Sequence, residues 1–254
     1  MGCSITALIT VYNQKDRIKR CIDSVLWADE ILVVDSFSDD GTVDILRGYE
    51  KVKLEQREYK NAAEQKNWAL ERVKTKWVLI LDSDEWLSRE ALESVKRALS
   101  SNQYDGYRMR RRTYFLGRLI RFCGWQFDYP LRLFKVCKGR FDTRRVHSDV
   151  ILDGPCGKIK APIFHETYAD LDEYFRKFIR YTKLAAEDAK ERKMAPSFFN
   201  LFVRPCARFI RQYFLQLGFL DGKEGLILCG LSAFSAFTKY ARLLHPRKTT
   251  HLER

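Results

Sequence analysis

Two carboxylates separated by one residue close an apolar run in Val78-Leu79-Ile80-Leu81-Asp82-Ser83-Asp84, and a third, Glu85, follows at once. Four consecutive apolar residues read as a strand buried on both faces, as in a parallel sheet. Asp82 and Asp84 then fall at its carboxyl end, where open α/β sheets bind ligands. Hard oxygen ligands there suit Mg²⁺ or Mn²⁺ held against a diphosphate. An acidic strand-to-loop turn accounts for the same spacing, because Asp and Ser favour turns. A second apolar run, over residues 30–35, also ends in an acid, Asp35. In a nucleotide site such an acid commonly accepts hydrogen bonds from a base or a ribose hydroxyl. No GxGxxG follows the first strand and no GxxxxGK[ST] occurs anywhere, which argues against dinucleotide and P-loop sites. A diphosphate site in which a metal replaces the glycine cradle as main charge neutraliser fits better.

The elements that must hold these acids follow from periodicity. Residues 4–11 read as a strand, followed by a helix with Ile18, Cys21, Ile22, Val25 and Leu26 at helical spacing. Gly41 and Thr42 open a short helix that runs to Tyr49, and residues 52–56 form a weaker strand. Residues 62–73 are rich in good helix formers. After the strand over 77–82, Ser88 is placed to cap a helix that runs to residue 99. This alternation predicts an α/β fold with a doubly wound, mostly parallel sheet. Asp35 and the Asp82/Asp84 pair then share one sheet edge.

At 46% apolar residues the chain can build a real core and is unlike a disordered one. Its 254 residues suit one large α/β domain with appendages, or two small domains. A net charge of +13 points to a polyanionic partner: nucleic acid, acidic lipid or a phosphorylated acceptor. Seven cysteines without a CxxC pair predict free thiols in a reducing compartment. No basic-then-apolar leader pattern is evident at the start of the chain. A non-catalytic basic protein of a membrane surface or of nucleic acid would explain the charge. It would not explain two strand-end acid sites that repel phosphate unless a cation intervenes. A sugar-nucleotide nucleotidyltransferase would also use a metal on such a sheet, but with a glycine-rich basic first loop. Thr10-Val11-Tyr12-Asn13-Gln14 lacks one.

Thr10-Val11-Tyr12-Asn13, Val33-Val34-Asp35-Ser36 with Asp39-Asp40-Gly41-Thr42, and Asp82-Ser83-Asp84 together resemble family 2 glycosyltransferases of the GT-A fold. Gln65-Lys66-Asn67, Leu131-Arg132-Leu133-Phe134, Arg145-Val146-His147 and Gly218-Phe219-Leu220-Asp221-Gly222 are similar to the lipopolysaccharide core β-glucosyltransferase group. The resemblance implies an inverting, metal-dependent transfer of a sugar, glucose in that group, from a UDP-sugar to a lipid-linked core oligosaccharide. It implies that Asp35 binds the uracil end and that Thr10 and Tyr12 line the nucleoside pocket. Asp82 would lie near ribose and metal, and Asp84 would be the direct ligand of Mg²⁺ or Mn²⁺. Lys66 either reaches the diphosphate as a point charge or is a solvated helix-face lysine. Asp39 and Asp40 read as turn and helix-capping groups.

A single displacement needs a base that deprotonates the acceptor hydroxyl. Relatives in that group carry Val-His-Glu; here the stretch is Val146-His147-Ser148-Asp149, with Ser148 in the glutamate's place. Asp149 is the leading candidate, followed by Asp128, with His147 also able to titrate near neutral pH. In a strand His147 and Asp149 share the face opposite Ser148.

Residues 1–100 are expected to form the nucleotide-sugar half of the catalytic domain and 101–168 its acceptor half. Arg108, Arg110, Arg111, Arg112, Arg118, Arg121, Arg132, Arg144 and Arg145 crowd the second half, and arginine forks suit an anionic acceptor. Trp125, Tyr129 and Tyr114 either stack on sugars or pack in a core, and His165 either approaches the metal site or is structural. Residues 169–254 read as a helical extension in which aromatics interleave with Arg204, Arg208 and Arg211. That pattern fits helices lying on an anionic inner-membrane surface, or ordinary helix packing. The expected location is cytoplasmic and peripheral on that membrane, with no nucleic-acid partner.

Overall fold

Strict alternation along three buried strands builds two cores, one on each side of a single sheet. In β1 (Ile5–Val11), Ile5, Ala7, Ile9 and Val11 enter one core and Leu8 the other. α1 (Lys15–Asp23) follows, and then β2 (Glu30–Asp35), which sends Ile31 and Val33 to the first core and Leu32 and Val34 to the second. After α2 (Thr42–Arg47), β3 (Val52–Gln56) and α3 (Ala62–Leu70), β4 (Trp77–Asp82) repeats the pattern. Both faces of these strands are covered, which is why they read as unbroken apolar runs. The structure is a computed structural model that describes residues 4–142, 149–194 and 197–245.

The parallel part of the sheet runs β3-β2-β1-β4. Val11 pairs with Asp35 and Thr10 with Asp82, so the strand-end acids flank the end of β1. The connections leave β1 in opposite directions there, and such a switch point opens a crevice at the strand ends. β5 (Glu85–Leu87) and α4 (Arg89–Ser101) follow, and the Ser88 side chain accepts from the backbone of Ala91 as the helix N-cap. The predicted helices and strands of this half are all present, with shifts of a few residues at their ends. Beyond β4 the sheet turns antiparallel. β6 (Gly106–Phe115) and, after β7 (Arg118–Leu119), β8 (Leu131–Lys135) extend it through β4–β8 and β8–β6 pairing. β9 (Gly139–Phe141) and β10 (Val150–Leu152) form a separate antiparallel pair, and β11 (Cys156–Tyr168) pairs with β5. The first unit comprises Met1–Thr113 and Phe127–Thr167.

The second unit comprises Tyr114–Gln126 and Tyr168–Arg254. It holds α5 (Leu171–Glu191), α6 (Arg204–Ile210) and α7 (Gly222–Leu244). Phe115, Ile120, Cys123, Tyr174, Phe178, Leu228 and Cys229 make its core. Trp125 packs edge-on against Phe115 and so serves that core. The Gly218–Asp221 turn is explained by packing. A Cβ on Gly218 would stand 2.8 Å from the Gln212 carbonyl, and Gly222 sits at φ +67°. Asp221, 2% exposed, accepts from the backbone N–H groups of Arg121 (2.9 Å) and Phe122 (2.8 Å). Asp221→Ala orphans both donors and removes two charge-assisted bonds, at a cost of about 2–4 kcal/mol. A lower urea midpoint by circular dichroism checks this; a midpoint equal to wild type would refute it.

Candidate functional site

The acids at the crevice are held by a chain of buried ion pairs. Asp82 places Oδ1 2.6 Å from Lys66 Nζ and Oδ2 2.6 Å from Arg132. The same Arg132 nitrogen lies 2.6 Å from Glu85 Oε1, which also receives Arg111 at 3.1 Å. Arg111 Nε then reaches Asp128 Oδ2 at 2.7 Å. Glu85 has no solvent exposure and Arg132 is nearly as deep, so neither charge is tolerable alone in this interior. Burial by itself would raise the Asp82 carboxyl, but Arg132 and Lys66 reverse that and hold it well below the usual carboxylate range. Burial pushes the Cys21 thiol well up, and the charges of Glu85, Asp84 and Asp82 push it further, so it is an inert core thiol.

These pairs correct two expectations. Lys66 is buried and ion-paired, not a solvated helix-face lysine. Arg132 and Arg111 do not present forks to an acceptor, because their guanidinium groups are spent on Glu85, Asp82 and Asp128. An arginine inside the apolar run Leu131-Arg132-Leu133-Phe134 is itself a signal of a buried, paired charge.

The Gln65-Lys66-Asn67 triplet of α3 joins three parts of the first unit. Gln65 donates to Ser36 Oγ at 3.3 Å, and Lys66 pairs with Asp82. Asn67 brackets the Phe141 backbone, donating to its carbonyl at 3.0 Å and accepting from its N–H at 2.8 Å.

At the neighbouring strand end Asp35 is fully buried. Its carboxylate accepts from the Ser38 backbone (3.0 Å), from the Ser38 hydroxyl and from Gln56 Nε2 (3.0 Å). Asn13, at φ 49°, exchanges two bonds with Asp39 and donates its own N–H to Ser38 Oγ. Asp40 accepts from the backbone of Lys15 and of Thr42, the first residues of α1 and α2. Burial works against ionisation of Asp40, yet these bonds with the Thr42 hydroxyl lower its pKa. The turn and capping roles expected of Asp39 and Asp40 match this geometry. Thr10 is half-buried at the crevice, and Tyr12 is 57% exposed beside it.

Asp84 faces His165, whose Nε2 lies 3.5 Å from Asp84 Oδ2. The pairing of β5 with β11, His165 opposite Glu85, brings them together, and Thr113 Oγ1 stands 3.2 Å from His165 Nδ1. Among the described residues no cluster of three or more His, Cys, Asp or Glu side chains forms a metal cage. One carboxylate beside one imidazole is nonetheless a donor pair of the kind a divalent cation takes when it keeps much of its coordination outside the protein. Asp82 is less suited as a ligand, since both its oxygens already face cations.

The three base candidates separate. Arg108 and Arg111 are three positions apart in β6 and so point to opposite faces. Arg111 shares its face with Thr113 and brings Asp128 towards the Asp82–Glu85 cluster. Arg108 holds Asp149 (3.2 Å), which also accepts from its following backbone N–H, on the other face. His147, with Arg144, Arg145 and Ser148, lies outside the described residues. The pairing roles of Glu85 and Arg132, and the place of Thr113 beside His165, were not read from sequence, because each is defined by a partner on a distant strand.

The sequence matches the family model described as "Glycosyl transferase family 2" over residues 6–150. It is 30% identical to the lipopolysaccharide core biosynthesis glycosyltransferase LpsC of Rhizobium meliloti over 91% of this chain and 85% of LpsC. It is 31% identical to the glycosyltransferase SunS of Bacillus subtilis, over 50% of this chain and 35% of SunS. Among solved structures, the mannosyltransferase PcManGT of Pyrobaculum calidifontis, in complex with GDP-Man and Mn²⁺, aligns with TM-score 0.58 at 16% identity, covering 96% of this chain and 88% of that one. S. aureus TarS in complex with UDP-GlcNAc aligns with TM-score 0.55 at 15% identity, over 93% of this chain and 81% of TarS. At these identities the structural matches establish the fold, the doubly wound α/β architecture of GT-A glycosyltransferases.

Removing one member of the buried chain strands its partner. Arg132→Met is expected to cost about 3–5 kcal/mol, as for other broken buried pairs, and Arg132→Met with Glu85→Leu less than the single change. Urea titration of both variants checks this, and a double variant no more stable than the single one would refute the pairing. A depressed carboxyl stabilises the fold above its unfolded pKa of about 3.9 and loses that contribution as pH falls through the folded value. Wild type is therefore expected to lose stability more steeply below about pH 4 than Arg132→Met.

Proposed function

Because the chain belongs to glycosyl transferase family 2, we propose that this glycosyltransferase moves glucose from a UDP-sugar to a lipid-linked core oligosaccharide of lipopolysaccharide by a single inverting displacement. The observation that supports the reading most is the convergence of Asp35, Asp82 and Asp84 around the end of β1, with His165 3.5 Å from Asp84. Similarity to LpsC along nearly the whole chain supports the acceptor class. The UDP-GlcNAc of TarS and the GDP-Man and Mn²⁺ of PcManGT support a metal-assisted nucleotide-sugar donor.

In this reading Asp35, Thr10 and Tyr12 bind the nucleoside; the Asp35 carboxylate accepts three bonds, one of them on Oδ1, and so keeps an acceptor site for a base N–H. Asp84 with His165 would hold Mg²⁺ or Mn²⁺, with Asp82 alongside. When bound, that ion neutralises charge on the departing diphosphate. Lys66 and Arg132 fix Asp82 and offset its charge at the place the diphosphate would occupy. Asp128 is the base. Arg111 grips Oδ2 and no described residue engages Oδ1, which leaves that oxygen for the acceptor hydroxyl. Asp149, committed to Arg108 on the opposite face, is the weaker candidate. The acceptor places the enzyme on the cytoplasmic face of the inner membrane, as a peripheral protein. Among the described residues no helix is long and apolar enough to cross a membrane.

UDP release from UDP-glucose in the presence of Mn²⁺ and a core-oligosaccharide acceptor tests the reading. Asp84→Asn is expected to lower kcat at least about 100-fold, and Asp128→Asn to do so with donor affinity retained, while Asp149→Asn stays within about threefold of wild type. No UDP release with any nucleotide sugar would overturn the donor class. Loss of rate in Asp149→Asn but not Asp128→Asn would overturn the base assignment.

A further inference from the structure

The second unit leaves a long apolar stretch uncovered. Phe198 and Phe199 are 78% and 60% exposed, Ile210 51%, Phe214 55% and Leu215 75%. Phe199, Val203, Ile210 and Phe214 recur at intervals of four, seven and four, so they form one stripe along the helical run 199–215 that includes α6. The opposite interest of this run, its packing row, is Pro205 with half-buried Phe209 and Tyr213, so the exposed stripe is not the face that docks on its own core.

Charge in the same region has one sign. Residues 192–220 contain Arg192, Lys193, Arg204, Arg208 and Arg211 and no acid at all. The next two acids are both engaged within the unit: Asp221 holds the backbone of Arg121 and Phe122, and Glu224 pairs with Arg118. Arg208 and Arg211 are exposed, and no helix among the described residues can span a bilayer. Uncovered aromatics beside unopposed cations match the two halves of an anionic bilayer surface, acyl boundary and phosphate headgroups. A second copy of the chain would bring the same positive charge against itself.

We propose that the exposed face of the 198–215 segment is a monotopic docking surface for anionic lipid, with Phe199, Ile210 and Phe214 entering the acyl boundary and Arg208 and Arg211 meeting lipid phosphates. This deepens the proposed function, resting on it only for the lipid-linked nature of the acceptor, and assigns the membrane contact to particular side chains. The arginine stems lie along the interface while their heads reach phosphate.

Co-sedimentation of the full chain with phosphatidylglycerol/phosphatidylethanolamine vesicles tests the surface. Wild type is expected to bind these vesicles, and to bind pure phosphatidylcholine vesicles at least about tenfold more weakly. Phe199→Glu/Ile210→Glu/Phe214→Glu is expected to lose at least about tenfold in vesicle affinity with a cooperative melting curve retained, since half or more of each residue is already in water. Arg208→Glu/Arg211→Glu keeps the apolar face intact and is expected to lower affinity for anionic vesicles only. Equal vesicle binding by wild type and the triple variant would overturn the proposal. So would a lipid-free dimer that the triple variant dissolves, which would make the face a contact between copies. Calorimetric titration with UDP separates the two readings: UDP binding without vesicle binding refutes the surface alone, and vesicle binding without UDP binding supports the surface and counts against the donor.

Discussion

The site depends on charges that only neutralise one another in series. Lys66, Asp82, Arg132, Glu85, Arg111 and Asp128 come from α3, the end of β4, β8, β5, β6 and the segment before β8. Each is adjacent to an opposite charge, and the innermost, Glu85, is fully buried. A low-dielectric interior enforces this order, because any one of these groups alone would have to shed its charge or draw in water. The chain of pairs therefore specifies the register of the antiparallel strands against the parallel ones. It also sets one carboxylate, Asp82, between two cations while its neighbour Asp84 is turned towards His165.

That division of labour between two acids one residue apart follows from strand geometry and from the turn that ends β4. Asp82 is the last residue of the strand, and Thr10 of β1 stands opposite it. Asp84 lies past the strand, where its carbonyl accepts from Glu166 of β11. The Asp-x-Asp spacing thus gives its two acids different partners, Lys66 and Arg132 for Asp82 and His165 for Asp84. The alternative of a merely acidic turn does not account for a buried cation on each oxygen of Asp82. The non-catalytic readings of the basic composition give way to family membership.

The helical unit shows the same economy with different chemistry. Its core is aromatic, with Phe115, Tyr168 and Tyr174 meeting edge to face and Phe178 stacking on Phe234. Three glycines and one aspartate in the 218–225 turn let backbone meet backbone: a Cβ on Gly225 would stand 2.1 Å from the Gly218 carbonyl. The resemblance of this turn to a known group is therefore a packing requirement.

What the sequence by itself determined is the parallel half: apolar runs that end in Asp35 and Asp82 name strands, edge and acids together, because periodicity and burial are local properties. The caps at Ser88 and Asp40, and the helical character of the last third, were equally legible. The role of Lys66 was not, since a lone helix cation looks solvated until a distant strand supplies its carboxylate, and the partners of Arg132 were not, since Asp82 and Glu85 come from other strands. Nor was the difference between Asp128 and Asp149, whose arginines lie on opposite faces of β6. Pairing between strands far apart in the chain is a tertiary event, and it alone decided which charges are spent on the fold and which are left for chemistry.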